Sequence, residues 1–137
     1  MVQTKSFAAS VDHLHEMLLF ILGIAKQVGF KPAALGQIEL ASEEAIVNVI
    51  EHAYGNLGGE IKIEVVAEPK RRLVIILSDQ GDPFDPLSEN TVDLSPSLEE
   101  REVGGLGIHF IRKCLDEVSY QRAGSWNVLT LVKKVHP

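Results

Sequence analysis

Residues 41–54 read ASEEAIVNVIEHAY, with no glycine or proline to interrupt them. A helix advancing about 100° per residue through this region places Leu35, Ile38, Ala45, Ile46, Val49 and Ala53 on one arc. Glu44, Asn48 and Glu51 fall nearly opposite. Glu44 and Asn48 are four residues apart, so a carboxylate and a carboxamide project side by side from one flank. Such a pair can orient a water or hydroxyl and hold a divalent cation through oxygen. Taken alone, the same spacing also describes the solvated face of an ordinary helix.

Upstream, Val11, Leu14, Leu18, Ile21, Ala25 and Val28 recur at alternating spacings of three and four and predict a first helix. Ser10 or Asp12 suits its cap and Gly29 its end. Pro32 fits the first turn of the second helix, whose pattern runs to about Tyr54, where Gly55-Asn56 and Gly58-Gly59 stop it. Downstream, Ile61, Ile63 and Val65 alternate with Lys62 and Glu64, while Leu73 to Leu77 is an unbroken apolar run. Both predict strands, the second the more buried. Residues 80–104 carry Pro83, Pro86 and Pro96 among Asp, Glu and Ser, and predict a long loop. Loops of this length inside compact domains are usually functional or mobile. A third helix with Ile108, Ile111 and Leu115 inward follows Gly104-Gly105, and strands over Val118–Arg122 and Trp126–Val132 meet at Gly124-Ser125. An edge strand over Val2–Ala8 opens the chain. The expected architecture is α+β, one domain over residues 1–137. It is a two-layer sandwich in which a mostly antiparallel, mixed sheet is covered on one face by about three helices.

Composition narrows the function. A length of 137 residues suits one domain, and 45% apolar residues are ample for its core. Thirteen Lys and Arg against 19 Asp and Glu give a net charge of −6, which disfavours direct nucleic-acid binding. The short basic run Lys70-Arg71-Arg72 reads most simply as a solvated turn between strands, with a phosphate or partner contact as the minority reading. The single Cys114 makes no internal disulfide and, lying between Ile111 and Leu115, reads as a core residue. The amino terminus lacks signal-peptide character. The longest apolar stretch, Met17 to Ala25, is broken by Gly23 and falls short of the roughly 20 residues that cross a bilayer. These features predict a cytoplasmic protein without a membrane partner. The five histidines are scattered, so no metal cluster is expected, and Ser42, Ser78 and Ser125 sit in no nucleophile motif. Trp126 reads as packing at a strand start.

Two further clusters carry chemistry. In Ser78-Asp79-Gln80-Gly81-Asp82, an acid at a strand end can accept a hydrogen bond from a ligand's amino group, and Gly81 lets the backbone come close. The same residues also describe a strand ending in a turn. Gly104-Gly105-Leu106-Gly107 opens a helical pattern, where free N–H groups and the helix dipole can receive phosphate. It lacks the third glycine of a dinucleotide fingerprint and the Lys and Ser/Thr of a P-loop, and a hinge would look alike.

In order, Glu-x-x-x-Asn, Asp-x-Gly at a strand end and a glycine-rich loop opening a helix resemble the GHKL ATPases. These are the gyrase, Hsp90, histidine-kinase and MutL type, with the Bergerat ATP-binding fold. From about Ser6 to Lys134 the chain looks like the small stand-alone serine/threonine kinases that act as anti-sigma factors, the RsbW and SpoIIAB type. Glu51-His52-Ala53-Tyr54 and Asp116-Glu117-Val118 add to the likeness.

The resemblance implies ATP and Mg2+ as cofactors. It makes Asn48 the magnesium ligand, Glu44 the general base for the incoming hydroxyl, and Asp79 the partner of the adenine amino group, with Gly81 beside it. Gly104, Gly105 and Gly107 would surround the phosphates, and residues of about 86–103 would form the ATP lid. Magnesium needs few protein ligands, and phosphoryl transfer depends mostly on positioning and charge neutralisation. Val103 stands nearest the place where members can carry an arginine reaching the terminal phosphate, with Arg101 two residues earlier. Thr130 lies nearest the expected adenine-side threonine. The implied function is phosphorylation of a STAS-domain anti-sigma-factor antagonist, combined with inhibition of a sigma factor or other regulatory protein. A homodimer is compatible with it. The alternative is a nucleotide-responsive, catalytically weak module that sequesters a regulatory partner; Val103 argues for it and Glu44 against it.

Overall fold

The unbroken apolar run Leu73–Leu77 lies in β3 (Arg72–Asp79), at the centre of a five-stranded sheet. The structure, a computed structural model, describes residues 1–54, 58–87, 109 and 111–136, the side chains of 52–54 excepted. With β1 (Val2–Ala8), β2 (Glu60–Glu68), β4 (Glu117–Ala123) and β5 (Trp126–Lys134), the strand order is β1-β2-β3-β5-β4. All four pairings are antiparallel, so the sheet expected to be mostly antiparallel is so throughout the described residues.

Side chains alternate across a strand, and one parity is apolar. Ile61, Ile63 and Val65 on β2, Leu73, Ile75 and Leu77 on β3, and Leu129 and Leu131 on β5 are buried toward the helices. On the edge strand β1 only Phe7 is buried, and its ring meets Phe20 edge to face at 5.8 Å between centroids.

The first helix starts later than its apolar spacing suggests. Ser10 caps a 3-10 turn over Val11–His13, its Oγ accepting from the Asp12 N–H at 3.2 Å, and α1 (Leu14–Ala25) follows. The tighter turn rotates Val11 outward, where it is 64% exposed, and Met17 and Ile24 join Leu18, Ile21 and Ala25 in the core. The second helix, α2 (Pro32–Asn48), is α-helical only as far as Asn48; Val49–Tyr54 continues as a π-helical turn. Turns of that pitch inside helices recur at functional sites, and apolar periodicity alone does not separate the two pitches. Of the third helix, residues 111–114 are described as helical, with Ile111, Cys114 and Leu115 buried. Ile108 lies outside the described residues. Among those residues no helix is long and apolar enough to cross a membrane.

Ile75, on the central strand and 1% exposed, tests this packing. Ile75→Ala should lower the unfolding free energy by about 2–5 kcal/mol, read by urea denaturation. Leu19→Ala, at a position 57% exposed, should change it by less than about 0.5 kcal/mol.

Candidate functional site

The register that pairs β3 with β5 sets Asp79 directly opposite Asn127. The same cross-strand row contains Ile61 on β2 and Arg122 on β4. Asp79 shares the inward parity of Leu73, Ile75 and Leu77, so the apolar pattern of β3 ends in a carboxylate that is 2% exposed. Beside it lies a narrow cleft. Ala45 and Asn48 line it from the end of α2, Val49 from the π-helical turn, and Asp79, Tyr120, Asn127 and Leu129 from the sheet. Phe84 and Pro86, from the segment after β3, close it.

Asp79 Oδ1 accepts two hydrogen bonds, from the Gly81 N–H and from Asn127 Nδ2, each at 2.9 Å. Its second oxygen has no partner among the described residues and is left for a donor on a ligand. Asn127 in turn is fully engaged. Its Nδ2 also donates to the Asp82 carbonyl at 2.8 Å. Its Oδ1 accepts from the Tyr120 hydroxyl at 2.5 Å, from Arg122 Nη1 at 3.2 Å and from the Phe84 N–H at 3.3 Å. Arg122 Nη1 donates as well to the Gly81 carbonyl at 2.9 Å. One buried carboxamide thus ties the acid, the loop after it and the edge strand together. Burial pushes the Asp79 carboxyl above the usual aspartate range; the hydrogen bonds from Asn127 and Gly81 and the charge of Arg122 oppose that rise.

Asn127 and Arg122 were not among the candidates read from sequence. Thr130, which was, pairs with Ile76 and Ser119 on the opposite parity from Asn127 and Leu129, and so faces away from the cleft. A signal did exist: Asn is depleted in strands, and Asn127 interrupts an inward parity otherwise held by Leu129 and Leu131.

Asn48 was expected nearly opposite the apolar arc of its helix, yet it is 4% exposed. The end of the sheet and the Phe84–Pro86 segment cover that flank, so a polar face becomes a cleft wall. Its Nδ2 is buried without a hydrogen-bond partner among the described residues. Glu44 stands one turn earlier on α2, partly exposed and outside the cleft lining. Burial, then the charges of Glu43 and Glu51, raise its pKa above the usual carboxylate range. Asn48, Asp79 and Gly81 are therefore brought together, with Glu44 adjacent along the helix. Gly104, Gly105 and Gly107, together with Arg101, Val103 and lid residues 88–103, lie outside the described residues.

A helix-covered antiparallel sheet with a cleft between a helix-borne carboxamide and a strand-end acid agrees with the GHKL-like ATPase class that the family match shows. Residues 7–133 match the histidine kinase-like ATPase domain, and the chain belongs to that family. Among its relatives, the serine-protein kinase RsbW of Bacillus licheniformis is 32% identical over 128 residues, 88% of this chain and 77% of the relative. RsbW of Listeria monocytogenes is 34% identical over 121 residues, 84% and 76% of the two chains. The serine/threonine-protein kinase BtrW of Bordetella bronchiseptica is 32% identical over 101 residues, 73% and 70%. The chain groups with these ATP-using serine/threonine-protein kinases. Solved structures agree in fold. The RsbU and RsbW domains of Rv1364c from Mycobacterium tuberculosis superpose with a TM-score of 0.68 at 13% identity, over 100% of this chain and 33% of that one. The Acinetobacter baumannii histidine kinase AdeS gives 0.53 at 16% identity, over 100% and 70%.

The raised pKa of Asp79 has a thermodynamic consequence. The folded chain keeps that proton to a higher pH than the unfolded chain, so stability falls as pH rises from the ordinary aspartate pKa through the raised one. Asp79→Asn removes this loss. In urea denaturation across the acidic range, the stability of Asp79→Asn relative to wild type should increase with pH. Parallel profiles would contradict the burial of this carboxylate.

Proposed function

We propose that the chain is an ATP-dependent serine/threonine protein kinase acting as an anti-sigma factor, and that its cleft binds ATP. The observation that carries this is the meeting of Asn48 with the half-satisfied Asp79 in one cleft of a chain related to RsbW. In this reading the free oxygen of Asp79 accepts from the adenine amino group, with the Gly81 backbone alongside. Gly104, Gly105 and Gly107 receive the phosphates, and residues of about 86–103 form the lid of a single domain spanning 1–137.

The donor chemistry at Asn48 suits magnesium, since a carboxamide oxygen is a hard ligand, while its buried Nδ2, without a partner among the described residues, is a donor suited to an acceptor on the nucleotide. Bound there, the ion would neutralise charge on the phosphates of ATP. Glu44 accepts the proton of the attacking serine hydroxyl as its oxygen bonds to the γ-phosphorus and ADP departs. A carboxylate with a raised pKa is the better base near neutral pH.

The substrate in this reading is a serine of a STAS-domain anti-sigma-factor antagonist in the cytoplasm. Phosphorylation adds about −1.5 to −2 charges. Against a chain of net charge −6, that weakens the complex and frees the kinase to hold a sigma factor or other regulatory protein, as a monomer or homodimer. A catalytically weak sequestering module is the second reading, and it is favoured by the position of Glu44 outside the cleft lining.

The test is titration with ATP, with and without magnesium, followed by phosphate transfer to a STAS-domain protein. Glu44→Gln should bind ATP normally and lose transfer by about 100-fold or more. Equal transfer by wild type and Glu44→Gln would exclude Glu44 as base, and binding without any transfer would favour the sequestering module. Asn48→Ala should lose the magnesium-dependent part of ATP binding. Asp79→Asn should weaken ATP more than GTP; an equal loss for both would exclude the adenine contact.

A further inference from the structure

The end of the sheet remote from Asp79 gathers cations from three separate segments. Lys31 comes from the α1–α2 connection, Lys70, Arg71 and Arg72 from the β2–β3 turn, and Lys133 and Lys134 from the end of β5. Backbone hydrogen bonds clamp these segments together. The Lys70 N–H donates to the Val28 carbonyl and the Val135 N–H to the Arg71 carbonyl, each at 2.8 Å. Lys70 holds this turn with a left-handed φ of 66°. The paired strands β3 and β5 run from Arg72 and Lys134 at this end to Asp79 and Asn127 at the other. At about 3.3 Å per residue, that separates the two ends by roughly 23 Å.

Two grooves open side by side here and share Lys134 and Val135. One, of about 300 Å³, is lined by Phe30, Lys31, Ala33, Ala34 and Lys133 among others; the next, of about 440 Å³, by Arg71 and Arg72. Some of the charge is already answered. Arg72 pairs with Glu68, Lys134 with Glu117 at 3.4 Å, and His136 with Asp116 at 2.6 Å. Lys133 Nζ instead donates to two neutral oxygens, Gln37 Oε1 at 2.7 Å and the Cys114 carbonyl at 2.6 Å. Lys31, Lys70 and Arg71 form no ion pair with any described residue. Arg71 also lies within electrostatic reach of Glu68, and Lys133 of Asp116, but the six cations of this face outnumber Glu68, Asp116 and Glu117, so positive charge is in excess here on a chain whose net charge is −6.

We propose that this face docks an acidic segment of a partner protein, in which carboxylates are interleaved with apolar side chains. The cations answer the carboxylates. The walls formed by Phe30, Ala33, Ala34 and Val135 seat apolar groups that a free phosphate or a nucleic-acid backbone does not possess. The net negative charge elsewhere on the chain opposes a long polyanion more than a short acidic stretch confined to the groove. The surface is independent of the ATP cleft, and so is its test.

The probe is a fluorescein-labelled peptide of repeating Glu-Glu-Leu, titrated with the full chain and followed by anisotropy. A Lys-Lys-Leu peptide and a single-stranded DNA oligonucleotide of matching charge serve as comparisons. The acidic peptide should bind saturably, weaken with added salt, and lose about tenfold in affinity in Lys31→Glu/Arg71→Glu, both exposed positions. ATP titration of the double variant should match wild type, which certifies its folding; if the pair does not fold, Arg71→Glu alone should lose about threefold. Undiminished peptide binding by the variants would overturn the proposal. So would tighter binding of the oligonucleotide than of the peptide, or self-association abolished by the charge reversal.

Discussion

A carboxylate at the end of the central strand faces the helices, almost wholly buried, and leans on the protein for its hydrogen bonds. Most of the site follows from that constraint. Asp79 has the inward parity of Leu73, Ile75 and Leu77, and the β3–β5 register sets Asn127 against it. One oxygen of the acid is saturated by Asn127 and the Gly81 backbone. The other has no partner among the described residues. A half-satisfied buried acid is poor for stability and well suited to reading a donor on a ligand.

Asn127 extends that constraint outward. Because its amide also holds the Asp82 carbonyl, the Phe84 N–H, Tyr120 and Arg122, the segment leaving β3 is drawn over the end of α2. Phe84 and Pro86 then roof the cleft, and Asn48 becomes buried. Asn48, Asp79 and Asn127 are thereby gathered at one end of the sheet, while the cations Lys31, Lys70, Arg71 and Lys133 collect at the other. The paired strands β3 and β5 hold the two ends roughly 23 Å apart.

Much of this was legible beforehand. The alternation in β2, the apolar run in β3 and the turn at Gly124-Ser125 are local signals, and each stands where it was expected; Ser10 caps the 3-10 turn ahead of α1 rather than α1 itself. The family likeness rested on motif order, which needs no coordinates. What was misread depended on pitch or parity. Val11 continues an apolar spacing but lies on a 3-10 turn, and the segment after Asn48 changes to π geometry without any change in composition. Thr130 is a plausible polar strand residue on the wrong face, whereas Asn127 is the unlikely strand residue on the right one.

The chain's own order of residues determined its elements, its family and the identities of Glu44, Asn48, Asp79 and Gly81 as candidates, because periodicity and motif spacing are written along the chain. Tertiary structure decided which of them share a cleft and which partners they have. Asp79 and Asn127 are 48 residues apart, and only strand register brings them together. Lys31, Arg71 and Lys133 come from three segments whose adjacency depends on backbone bonds between turns. Burial follows the same logic, since Asn48 on a nominally polar helix face is enclosed only when the sheet end closes against it.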